Sequence, residues 1–169
     1  MRSNKLAFMA LMLALSLVTG YVEYLIPIPT GIPGIKLGLA NIVTVFLILR
    51  GQYLEAFWIL FIRVILSGIL FGNPVSVIFG MTGGLAALAI MILLERSHIK
   101  LSIIGVSMSG AVVHNMGQIM VSFLMLGTKK VFYYLPFLMI AGLITGFITG
   151  WICQLLFERL PGDGKFGGQ

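Results

Sequence analysis

Apolar residues run along this chain in six blocks, separated by short polar or Gly/Pro-containing breaks. The blocks are Leu6 to Ile26, Lys36 to Leu49, Leu54 to Phe71, Val75 to Leu94, Leu101 to Leu126 and Val131 to Phe157. About 20 apolar residues cross a bilayer as a helix, so five blocks are long enough and the second is short. The pattern predicts an all-α, polytopic membrane bundle of six transmembrane helices, one domain over residues 1–160. No soluble domain fits between the blocks. The stretch Pro27 to Ile35, PIPTGIPGI, holds three prolines and two glycines. It cannot be helical and should cap one end of the bundle. Residues 161–169, PGDGKFGGQ, should form a flexible tail.

Composition agrees with that reading. Hydrophobic residues make up 59% and charged residues 9% of the 169, and the mean hydropathy is +1.09. So few charges cannot cover a water-facing surface of this size. The net charge of +6 therefore reports topology rather than a nucleic-acid interface. Arg2 and Lys5 precede an apolar run too long for a signal-peptide core, so that run reads as a first membrane helix. Cys153 is the single cysteine, which excludes a disulfide framework.

Lysine and arginine set the orientation. With six spans, the N-terminal side carries Arg2, Lys5, Arg50, Arg96, Lys100, Arg159 and Lys165; the other side carries Lys36, Lys129 and Lys130. This asymmetry predicts a multi-pass protein of the cell membrane with both termini cytoplasmic and the Pro/Gly loop outside. Three ridges of small residues repeat every four positions: Ala10 and Ala14, Gly80 and Gly84, and Gly142, Gly146 and Gly150. Such ridges let helix backbones approach closely in lipid, either inside the bundle or against another membrane protein.

The informative residues are the polar ones inside the spans. Arg63 lies in FWILFIRVILSGIL with no other charge beside it. Even on lenient scales an arginine near mid-membrane costs about 3 kcal/mol, so it must face the interior and find a partner. Glu55 is two turns away, about 12 Å along the helix, too far for a direct pair. Glu23 is expected near the opposite face from Glu55, so neither is an obvious permanent partner. His114 and Gln118 share a helix face four residues apart, with Asn115 about 100° round. Asn41 lies in the second block, and Lys36 at its start. Arg63, His114, Asn115, Gln118, Asn41 and Lys36 are thus the candidate ligand-binding residues of one cavity opening outward. The competing explanation is that the neutral ones only bond helix to helix; a permanent charge is poorly explained that way.

Enzyme signatures are missing. There is no Walker loop, GxSxG or HExxH, and the one aspartate, Asp163, lies in the tail. The chain reads as non-catalytic, without a cofactor or bound metal, and any energised transport would need an ATPase on a partner.

Two motifs then carry a resemblance. PGIKLGLANI, Pro33 to Ile42, resembles the start of the second helix in substrate-binding (S) subunits of energy-coupling factor transporters. Together with HNMGQ, His114 to Gln118, residues 5–160 look still more like the membrane family called heptaprenyl diphosphate synthase component I, or Gx transporter. The resemblance implies an S-component-like six-helix fold and an external first loop acting as a lid. It also implies a ridge on the first helix, here Ala10 and Ala14 in AFMALMLA, that docks on a transmembrane coupling subunit served by ATPases. It implies a small anionic or amphipathic ligand, isoprenoid-, quinone- or flavin-related, for which Arg63 and Lys36 suit a phosphate or diphosphate. The alternative it implies is a non-catalytic membrane subunit assisting polyprenyl diphosphate or quinone synthesis.

Overall fold

The computed structural model describes residues 2–25, 38–97 and 101–159, with side chains from Lys5 onward. The loop Pro27 to Ile35, Lys36 and the tail 161–169 fall outside the described residues. Six α-helices form in chain order: α1 Arg2–Leu25, α2 Asn41–Leu49, α3 Tyr53–Leu70, α4 Pro74–Arg96, α5 Ile103–Leu126 and α6 Leu135–Arg159. A 3₁₀ segment, Lys129–Tyr134, leads into α6. No strand occurs among the described residues.

Local chemistry sets the helix ends. Asn73 caps α4 in a reciprocal bond pair with Ser76, and Pro74 starts the helix where its missing N–H is harmless. Ser102 caps α5, which ends on Gly127 in the left-handed conformation. The sixth block was expected to be helical from Val131; it winds as 3₁₀ to Tyr134 and turns α-helical just before Pro136, which sits in the first turn.

The second helix refines the six-span reading. Gly38 has a φ of 88°, and a turn through Leu39 and Ala40 precedes α2. Only nine residues of helix remain. At 1.5 Å per residue that is roughly 13 Å, under half of a bilayer core. The other five helices are long and apolar enough to cross, α6 together with the 3₁₀ segment. The described residues therefore form an all-α membrane bundle of six helices, five of spanning length.

The short helix is the centre of the bundle. Val43 to Leu49 are all buried, and α1, α3, α4 and α6 pack around them. A helix apolar on every side needs such surroundings. Cys153 of α6 sits against it, its thiol donating to the Ile42 carbonyl at 3.4 Å. Two ties fix one end of the bundle: Lys5 pairs with Glu55, and Tyr53 donates to Glu95. They place the starts of α1 and α3 beside the end of α4. The end of α6 joins them, because Gly150 of α6 packs on Ile104 at the start of α5. The N-terminal end of α1 and the C-terminal end of α6 thus share one end of the bundle.

The small-residue ridges separate into two kinds. A Cβ on Gly142, Gly146 or Gly150 would come within 2.6–2.8 Å of α5, so this ridge is a seam inside the protein. Gly80 and Gly84 pack on Val64 and Leu60 of α3. Ala10 and Ala14 face outward, both exposed.

Candidate functional site

Arg63 is 9% exposed. Sequence reasoning turned it inward because of its desolvation, and the structure supplies the partners. Its Nη2 donates to Asn41 Oδ1 at 3.2 Å. The two residues meet because α2 and α3 run antiparallel from the turn at Gly51, Asn41 lying ten residues before it and Arg63 twelve after it. The Arg63 Nε has no hydrogen-bond partner among the described residues.

Arg63 lines a cavity of about 30 Å³ with polar groups from five helices. Glu23 comes from α1, Asn41 from α2, Ser67 from α3, Ser76 from α4 and His114 from α5, with Gly38 just before α2. Glu23 is 4% exposed, accepts the Gly38 N–H at 2.6 Å, and lines the same cavity as Arg63. Neither Glu55 nor Glu23 is an obvious permanent partner in the sequence; Glu23 shares this cavity with Arg63. The signal for Glu23 was present in the sequence: it is a carboxylate in an apolar span, subject to the same cost as Arg63.

A second space of about 10 Å³ lies between α2, α5 and α6. It shares Gly38, Asn41 and His114 with the first, and adds Ser107, Asn115, Thr145 and Thr149. Asn41 and His114 therefore stand between a charged chamber and a neutral one.

The predicted site residues fall into four groups. Arg63, Asn41 and His114 are brought together. Asn115 lines the neutral chamber while its Nδ2 donates to the Leu138 carbonyl at 2.6 Å, tying α5 to α6. Gln118 lines neither chamber; it is 1% exposed and lies 3.0 Å from the His114 Nε2, where it fixes the ring. Gly83 makes room on the other side, since a Cβ there would meet the His114 carbonyl oxygen at 2.8 Å. Lys36 lies outside the described residues. Ser67, Ser76 and Gly38 were not singled out from sequence; small hydroxyls and glycines are too common in membrane helices to stand out.

Chemically, the charged chamber offers a guanidinium, an amide, an imidazole, hydroxyls and a carboxylate in a space shielded from water. Such a set binds a polar group through charge-assisted hydrogen bonds. No curated protein and no solved structure matches the chain. Residues 12–156 match the model of the family described as heptaprenyl diphosphate synthase component I, and the chain belongs to that family.

Proposed function

We propose that this protein is the substrate-binding subunit of a membrane transport system. It takes a small anionic or amphipathic ligand into the Arg63 chamber and is energised by partner subunits. The observation that carries this reading is Arg63 itself: a nine-tenths buried guanidinium whose Nε has no hydrogen-bond partner among the described residues, facing a cavity that polar groups from five helices line. Helix-to-helix bonding accounts for Asn115 but leaves the guanidinium edge unexplained. The anionic group, a phosphate, diphosphate or carboxylate, engages Arg63, and Asn41 and His114 complete its hydrogen bonds. Lys36 is assigned to the same site on its charge and its place in the chain. The chain itself is not the catalyst in this reading, since its one aspartate is Asp163. Mass spectrometry of small molecules retained by the purified protein tests the proposal directly. A phosphate- or carboxylate-bearing molecule retained by wild type and lost from the Arg63 variant supports it; retention of only bulk lipid by both overturns it.

The family supports a second reading, a non-catalytic membrane subunit that assists polyprenyl diphosphate synthesis. Affinity purification separates the two. A transmembrane coupling subunit and ATPases in the eluate favour transport; a prenyl synthase without an ATPase favours assistance.

The exposed Ala10–Ala14 ridge is the docking face in either case. Ala10→Leu and Ala14→Leu should each lower recovery of the partner at least about tenfold, because a ridge of small residues works through close backbone approach. Ligand binding should be unchanged, since the ridge lies away from the chamber. Full recovery of the partner with both variants would remove α1 as the docking face.

Both termini are assigned to the cytoplasm of the cell. At the end of the bundle that holds them the described residues include Lys5, Arg50, Arg96 and Arg159, against Lys129 and Lys130 at the other. A reporter active only in the cytoplasm should work when fused after Glu158 and fail when inserted at Thr128. The reverse pattern would invert the topology and turn the chamber toward the cytoplasm.

A further inference from the structure

The Arg63 chamber already holds an anion of the protein's own. Glu23 is buried within an otherwise apolar stretch of α1. Its Oε1 takes the Gly38 N–H at 2.6 Å. The same carboxylate lines the chamber together with Arg63. A ligand oxyanion in this chamber would need those same groups: the guanidinium edge, a backbone N–H, and the Asn41 amide. The space left beside Glu23 is about 30 Å³, enough for about one or two waters and not for a phosphoryl group. Two anions side by side in such a low-dielectric space would also repel strongly.

We propose that Glu23 is a built-in stand-in for the ligand's oxyanion. Its carboxylate occupies the Arg63 chamber in the empty protein and is displaced when the phosphate or carboxylate of a ligand enters. The inference rests on reading Arg63 as the ligand anchor. It also explains how a chamber this small can accept a ligand: the entering anion takes volume and hydrogen bonds that Glu23 gives up. The helix carrying Glu23 is able to yield, because α1 packs on α2 and α3 and leaves much of its surface exposed. Displacement of Glu23 loosens a tie of α1 to Gly38, on the same helix that presents Ala10 and Ala14. Ligand occupancy is thereby passed to the face that meets the partner.

The test is calorimetric titration of inorganic diphosphate into the purified full chain in lipid nanodiscs. The proteins compared are wild type, Glu23→Gln, Arg63→Ala and the double variant. Glutamine keeps an acceptor for the Gly38 N–H and removes the charge, so Glu23→Gln should bind diphosphate at least about tenfold more tightly than wild type. The gain should vanish in the double variant. Should Glu23→Gln fail to fold, Glu23→Asp carries the same test, because a shorter side chain withdraws the carboxylate from Arg63 and should also tighten binding. Unchanged or weaker binding by the folded Glu23 variant, with Arg63→Ala still impaired, overturns the stand-in and leaves the anchor standing. Absence of binding by wild type and Glu23 variants alike, with no effect of Arg63→Ala on the retained molecule, overturns both.

Discussion

Arg63→Ala should leave a folded, membrane-inserted protein whose affinity for its retained ligand falls at least about thirtyfold, the lower end of what removing one partner of a buried charge pair produces. The guanidinium supplies a full charge and several donors in a chamber shielded from water, and no other described residue of the chamber can replace it. Asn41 and His114 bring single hydrogen bonds, and Glu23 brings the wrong sign. The effect on folding should be much smaller than the effect on binding. Alanine removes a desolvated charge, which is favourable, and takes a cation away from the chamber that Glu23 also lines, which is not. Glu23 keeps its bond from Gly38, so the two changes offset in part. Arg63→Lys should recover binding only partly, since a lysine keeps the charge and loses the planar fork that grips two oxygens at once. Binding isotherms and thermal unfolding in detergent measure the two effects separately. Loss of the folded state in Arg63→Ala would make Arg63 a structural residue, and wild-type binding would move the site elsewhere.

Gly146→Leu should prevent the bundle from forming, and Gly146→Ala should lower its stability by about 1–3 kcal/mol, the range for overpacking a close-packed site. The cause is backbone, not side chain. A Cβ at Gly146 would lie 2.6 Å from the Met108 Cα and 3.0 Å from the Ala111 Cβ. Neither atom can rotate away, so α5 and α6 must separate along their shared seam. That seam carries Asn115 and one wall of the neutral chamber, so polar groups would lose partners as the helices part. Gly105 provides the control. It lies on the same α5, but a Cβ there meets nothing closer than 3.5 Å. Gly105→Ala should therefore be neutral or stabilising by up to about 1 kcal/mol, the ordinary preference of a helix for alanine. Thermal unfolding of the three variants in one detergent checks the order. Equal stability of Gly146→Ala and Gly105→Ala would show that the α5–α6 contact is looser than described.

The unequal effect expected of two glycines on one helix pair shows where sequence reasoning stops. That six helices form, and that they belong in a membrane, is legible residue by residue, because apolar length and charge scarcity are local properties of the chain. Helix ends are legible for the same reason: Asn73 with Pro74 and Ser76, Ser102 and Gly127 each act on backbone within a few residues. Arg63 could be read as inward-facing because its desolvation holds in any membrane fold. The identity of its neighbours could not be read that way. Asn41 reaches Arg63 only because the Gly38 turn shortens α2 and the antiparallel pairing brings the two residues level. Glu23 shares the chamber only because α1 packs across both elements. The ridges carry the same lesson. Ala10 and Ala14 have the same spacing as Gly142, Gly146 and Gly150, yet one ridge faces outward and the other is buried against α5. Likewise His114 and Gln118 sit on one helix face in the sequence, and only the packing of α2 and α4 makes the first a wall of the chamber and the second its support. Spacing along a chain determines which residues share a face of their own helix; what that face meets is decided by helices far away in the sequence, and exists only once they have packed.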